Sequence, residues 1–165
     1  MKKYSEFLKK AEALGAAKAK IIRAGSVVTA EWVRWRCRYG CDRFGAALTC
    51  PPHAPAPEVT RKLLDGYKYG LLFRAERCRE IRRIAPLLER EVFLRGFYKA
   101  FALAAGPCSL CRSCAPACRH PEKARPAMEA CGIDVFATVR KSGMHLEVLG
   151  DRKSGQDCYG LVLIE

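Results

Sequence analysis

One stretch constrains this chain more than any other: Gly106-Pro107-Cys108-Ser109-Leu110-Cys111-Arg112-Ser113-Cys114-Ala115-Pro116-Ala117-Cys118-Arg119-His120-Pro121. Its cysteines fall at C-x2-C-x2-C-x3-C, so four thiols must share one short loop. Gly106, Pro107 and Pro116 set turns, which lets thiolates face inward while backbone N–H groups point at what they enclose. The spacing predicts a metal, and an iron–sulfur cluster of the [4Fe-4S] type ahead of zinc. Zinc knuckles would place separate C-x2-C pairs a dozen or more residues apart.

A second cysteine group precedes it. Cys37-Arg38-Tyr39-Gly40-Cys41 is closed by Cys50-Pro51-Pro52-His53, giving C-x3-C-x8-C. Gly40 and Gly45 let that loop wrap, and the two prolines pin its exit. A single buried cysteine is ordinary packing, but three in one loop bounded by glycine and proline read as ligands. The two groups hold seven cysteines, one short of two four-cysteine clusters, and this leaves three arrangements open. In one, Cys108, Cys111, Cys114 and Cys118 close a cluster. Cys37, Cys41 and Cys50 then hold another, whose last iron is left to His53, Cys131, Cys158, water or a substrate. An iron with an open position acts as a Lewis acid, which is enzyme chemistry. In another arrangement every site closes and the protein relays electrons. In the third, a single site draws ligands from both groups.

The remaining candidates carry blander readings. His53 and His120 flank the cysteine groups, where a histidine can ligate, shuttle protons or tune a cluster by hydrogen bonding; the last reading is preferred. His145 and Cys78 read as structural. Cys131 and Cys158 lack a paired cysteine nearby. Arg125-Pro126 and Met128-Glu129 read as a helix start, with anion binding by Arg125 as the sharper alternative.

Composition narrows the class. The 165 residues, half of them hydrophobic, suffice for one domain spanning 1–165 with a real core. Met1 to Lys10 lacks the continuous apolar region of a secretory signal, and no apolar run is long enough to span a membrane. The expected location is the cytoplasm, where reduced thiols serve as ligands rather than disulfides. The formal charge is +13, from 30 basic and 17 acidic residues. Metal-bound thiolates would offset part of it, and the arginines are dispersed without a recognisable nucleic-acid module. An acidic redox partner protein or an anionic small-molecule substrate accounts for the charge as well as nucleic acid does. There is no Gly-rich phosphate loop and no G-x-S-x-G.

Taken along the chain, Ser5–Ala17 reads as an amphipathic helix ended by Gly15. Ala19–Ile22 and Val27–Thr29 read as short strands, and Val33 to Trp35 as strand or helical turn. Trp32 and Trp35 are expected in the core. A helix enters at Pro55-Ala56-Pro57-Glu58 and runs towards Gly66, and Tyr67–Ala75 reads as a buried strand. Arg77–Ala105 reads as mostly helical, kinked or restarted at Pro86, with Phe93, Phe97, Ala100, Phe101 and Ala104 on a core face. Its arginines read as solvated surface. Glu122–Ala130 reads as a short helix, and Ile133–Val139 as helix or strand stopped by Gly143. Met144–Leu149 and Tyr159–Ile164 read as closing strands around a turn at Asp151–Gln156. The fold class expected is α/β (α+β): a small sheet flanked by helices, with the cysteine-rich loops gathered at one end.

As a set, Cys37-x3-Cys41, Cys50-Pro51-Pro52, the run from Gly106 to Pro121, and Arg125-Pro126-Ala127-Met128-Glu129-Ala130-Cys131-Gly132-Ile133-Asp134-Val135 resemble a family of small prokaryotic proteins. That family is frequent in anaerobes and is described only as predicted metal-binding proteins. The resemblance covers most of the chain and implies a metal site without an assigned reaction. Locally, Cys108, Cys111, Cys114 and Cys118 resemble the cluster-binding run of bacterial ferredoxins, which implies ligand roles for these four. Arg119 and His120 stand between Cys118 and Pro121, where the ferredoxin pattern has proline directly. Cys118 could therefore complete a site begun by Cys37, Cys41 and Cys50. The expectation is redox chemistry on one or two [4Fe-4S] clusters. A cluster-dependent enzyme is the first alternative, and a structural zinc protein with a nucleic-acid or protein partner the second.

Overall fold

The hydrophobic alternation of two strands sets the architecture. The computed structural model describes residues 2–148 and 157–165. Strand β2 (Tyr69–Ala75) sends Leu71, Phe73 and Ala75 to one core and Leu72 to the other. Strand β4 (Cys158–Leu163) is buried along its whole length, with Val162 facing the first core and Tyr159, Leu161 and Leu163 the second. A strand covered on both faces needs apolar residues at every position, unlike one with a wet face.

With β1 (Lys18–Arg23) and β3 (Phe101–Leu103), these strands form a sheet of order β1-β2-β4-β3, antiparallel throughout. β2 and β3 run parallel with β4 between them, and the crossover joining them is helix α4 (Cys78–Leu94). This is a split β-α-β unit. Helix α1 (Ser5–Ala13) lies with α4 on one face: Phe7, Ala11, Ile81, Ile84, Leu88 and Val92 share a core. Helices α3 (Pro57–Asp65) and α5 (Val135–Lys141) cover the other face through Leu64, Val135 and Val139. Helix α2 (Glu31–Gly40) lies off the sheet against a 3-10 turn at Glu129–Cys131. The result is a single α+β domain.

α4 approaches the sheet closely because β4 has glycine at position 160. A Cβ there would come within 2.5 Å of the Phe73 ring and 2.7 Å of Ile81 Cγ2. Cys78 and Cys158 are joined by a disulfide, which ties the start of α4 to the start of β4. Cys78 is thus a bonded cysteine rather than simple packing, and Cys158 is no ligand candidate in this state. The other eight cysteines are free.

Several expectations need correction. The long helix ends at Leu94; the chain turns through Gly96 (φ +92°) and re-enters the sheet as β3, so Phe101 and Ala104 belong to the strand and its exit. Trp32 and Trp35 are exposed, at 46% and 64%, because α2 buries only Val33. Phe93 is 52% exposed on the face opposite Leu88 and Val92. Val27–Thr29 forms no strand beyond an isolated bridge from Thr29 to Ile133. The segment 122–128 is not helical, and residues 144–148 make no strand. Leu149 and the turn expected at Asp151–Gln156 lie outside the described residues. His145 is exposed and pairs with Glu147 instead of packing. The helix at Pro57, the strand at Tyr69 and the stops at Gly66 and Gly143 stand as expected.

Candidate metal centre

The first cysteine group is assembled by an arginine. Cys37 lies in the last turn of α2, Cys41 caps its C-terminus, and Arg34 precedes Cys37 by three residues, on the same side of the helix. Arg34 Nη1 donates to the carbonyls of Ala54 at 3.0 Å, Pro55 at 2.9 Å and Ala130 at 2.9 Å. One guanidinium therefore ties together α2, the exit of the Cys50 loop and the turn that holds Cys131. The loop also closes on itself. Gly45 N–H donates to Pro51 O, Cys50 N–H to Ala47 O and Ala54 N–H to Cys50 O, all within 3.0 Å. The Pro51–Pro52 peptide is cis.

These thiols sense one another. Burial pushes the Cys37 thiol up, Cys41 and Glu129 push it further, Arg34 opposes, and Cys50 adds to the rise. Burial likewise raises Cys50, followed by Cys41, with the Thr49 hydrogen bond and Arg43 opposing and Cys108 adding. Cys37, Cys41 and Cys50 thus lie within mutual electrostatic reach, and Cys50 also feels Cys108 of the other group.

The second group hangs from a neck. Ala104 and Ala127 form an isolated parallel bridge; Ala104 N–H donates to Pro126 O at 2.7 Å and Met128 N–H to Ala104 O at 2.9 Å. Between these anchors Cys108, Cys111, Cys114 and Cys118 line one small cavity together with His120. Cys114 and Cys118 are exposed, and Cys108 and Cys111 half-buried. His120 N–H donates to Cys118 Sγ at 3.4 Å, and Arg119 Nη2 to Ser113 O at 3.0 Å. N–H···S bonds of this kind are among the interactions that tune a cluster's potential.

Arg125 fastens the far side of this loop to α4. Its Nε and Nη2 meet the two carboxylate oxygens of Glu89 at 2.6 and 2.5 Å, and its Nη1 donates to Pro121 O and Ala124 O. Glu89 Oε2 also accepts from Ala102 N–H of β3. With its donors so committed, Arg125 positions the loop rather than offering an anion site of its own.

Cys131 is buried, and burial raises its thiol to about 12, with Arg34 opposing and Glu129 adding. It packs in the second core, and Gly132 (φ +74°) turns the chain against Pro57, which a Cβ would strike at 2.3 Å. Glu129 keeps solvent contact yet is crowded by protein, and the loss of hydration pushes its carboxyl up. His53 is exposed and lines neither that cavity nor the neck. Arg34 was not singled out from sequence; its signal is the i, i+3 spacing to Cys37, visible only once α2 is known to be a helix.

Among the described residues no three His, Cys, Asp or Glu side chains already stand as a closed set around one ion. What the fold does is bring four thiols around one space and three more within electrostatic reach of one another. Thiolates are soft donors that suit zinc or iron–sulfur clusters and not magnesium or calcium, so this donor set fits a thiolate-bound metal. Among the described residues no helix is long and apolar enough to cross a membrane.

No curated protein and no solved structure matches the chain. The family model described as "Predicted metal-binding protein (DUF2284)" does match it, over residues 20–164, which takes in both cysteine groups, the neck between Ala104 and Ala127, and all four strands but the first two residues of β1. With this match across nearly its whole length, the chain belongs to this family of predicted metal-binding proteins.

Proposed function

We propose that the chain binds a [4Fe-4S] cluster through Cys108, Cys111, Cys114 and Cys118 and serves one-electron redox chemistry with a partner protein. The observation that carries this reading is the cavity: the four cysteines of a C-x2-C-x2-C-x3-C run line one space, with a backbone N–H already donating to the last sulfur. When bound, such a cluster supplies a reversible one-electron couple. This chain's own residues would set the conditions for it. The Ala104–Ala127 neck and the Arg125–Glu89 pair hold the loop's two ends, and His120 N–H offsets charge on Cys118.

A second reading draws on the first group. Cys37, Cys41 and Cys50 are three mutually sensing thiols with Cys108 in reach of Cys50. They could hold a second metal site, left open at one position for Lewis-acid chemistry.

Anaerobic purification followed by iron, sulfide and zinc quantification tests both. About four iron and four sulfide per chain, lost in Cys111→Ser and retained in Cys37→Ser, supports the first reading. About twice that content, halved by Cys37→Ser, adds the second. Colourless protein with stoichiometric zinc and no iron under strict anaerobiosis would overturn both in favour of a structural zinc protein.

A further inference from the structure

The arginines of α4 do not spread over a plain solvated surface. Arg79, Arg82, Arg83, Pro86, Arg90 and Phe93 follow helical spacing on the face opposite the core residues, and they line a cleft of about 770 Å³. That volume falls in the range of small-molecule sites. The opposite wall comes from the cysteine loop itself, through Ser109 and Leu110, and from Lys123 and Arg125 beyond it.

The charge balance of the cleft is one-sided: six basic side chains against two carboxylates. Both carboxylates are already spent. Glu89 holds Arg125, and Glu122 pairs with Lys123. Four arginines remain without a counter-charge. Arg82 and Arg83 donate to the carbonyls of Ala105 and Leu14, which fixes them without neutralising them. The Arg79 and Arg90 side chains are exposed and have no hydrogen-bond partner among the described residues. Between these cations the cleft is apolar, with Leu87, Phe93 and Leu110 each more than two-fifths exposed. A narrower cavity, sharing Arg82, Ser109, Leu110 and Arg125, leads from the cleft to Cys108.

We propose that this cleft binds an organic anion with an aromatic or acyl body, its charged head on the α4 arginines and its body on Leu87, Phe93 and Leu110, beside the cysteine loop. Cations alone would suit any anion. Their interleaving with exposed apolar side chains in a concave site selects a ligand that carries both characters. The site rests on the cleft and is independent of which metal the cysteines hold, so its failure and that of the cluster reading are separable.

Titration of the purified full chain with 1-naphthyl phosphate, followed by naphthyl fluorescence and calorimetry, tests it against the two halves of the probe, 1-naphthol and inorganic phosphate. The expected result is saturable binding at least 10-fold tighter than either half. An Arg79→Ala/Arg90→Ala variant and a Phe93→Ser variant should each weaken it at least 10-fold. Arg95→Ala, which removes the exposed partner of Glu6 outside the cleft, should leave it unchanged. Circular dichroism checks that the variants fold. Inorganic phosphate binding as tightly as the naphthyl ester would overturn the proposal, as would affinity unaffected by the Arg79/Arg90 substitutions. Tight binding of poly-glutamate with none of the naphthyl ester would overturn it in favour of an acidic protein partner.

Discussion

The two cysteine groups, both largely exposed, differ in how much hydrogen bonding holds them. Residues 37–54 are held by protein: a helix carries Cys37, Arg34 spans three carbonyls, and the loop's own backbone bonds surround a buried Cys50. Residues 108–118 contain no helix or strand, and most are exposed. They are restrained at the neck, by the Arg125–Glu89 clamp and by two bonds near Cys118. A loop with few backbone partners relies on something else for its order, and in a thiolate-rich loop metal binding supplies that folding energy. On the proposed reading, the first group is shaped before any metal arrives and the second takes its shape from the metal.

The sharpest way to break this contrast is metal removal. Chelation should lower hydrogen-exchange protection about 100-fold across residues 108–118, equivalent to about 2.7 kcal/mol of local stability, while residues 34–40 change little. Equal loss in both regions would contradict the distinction.

Arg34→Met should have the next largest effect. It strands three carbonyls and should cost about 3 kcal/mol in denaturant unfolding, with protection lost at α2 and residues 45–54 but not in 108–118. Glu89→Gln keeps the shape but not the charge of the clamp. It should cost about 2 kcal/mol because both partners are about 15% exposed, and it should loosen residues 119–125. A null result there would show that the neck alone holds the loop.

Metal uptake at the first group should depend steeply on pH. Cys37 and Cys50 have raised thiol pKa values without metal, so they are protonated near neutrality and must release protons on binding. Affinity measured in Cys111→Ser protein should therefore rise with pH, by as much as roughly tenfold per unit for each thiol that titrates. A flat profile would mean that burial does not govern these thiols. The smallest effect belongs to the exposed pair Arg61–Asp65, where Asp65→Asn should shift stability by less than about 0.5 kcal/mol and leave both groups unchanged.

Much of this was legible from local chemistry. The turn residues and spacing of Cys108 to Cys118 marked a loop that encloses something, and its thiols do line one cavity. Proline at the head of α3 and glycine at its end bounded that helix, because both act through backbone geometry over a few residues. The failures share a cause. Phe97 and Phe101 continue the apolar pattern of α4, so periodicity alone could not reveal that the chain reverses at Gly96 and returns as a three-residue strand. Trp32 and Trp35 looked like core residues because hydrophobicity does not say which face of a helix will meet the sheet. The Cys78–Cys158 bond joins positions 80 residues apart, with no spacing to announce it.

By itself the amino-acid sequence determined the candidate donors: thiols at ligand spacing, in turns that glycine and proline favour, are fixed by covalent neighbours a few bonds away. Tertiary structure decided their company. Whether Cys50 feels the charge of Cys108, which carbonyls Arg34 spans, and that four α4 arginines share a cleft with Leu110 all depend on how α2, α4 and the neck pack around the sheet. Those contacts join residues from distant parts of the chain, and they form only when burial of the two cores offsets the entropy of bringing the segments together.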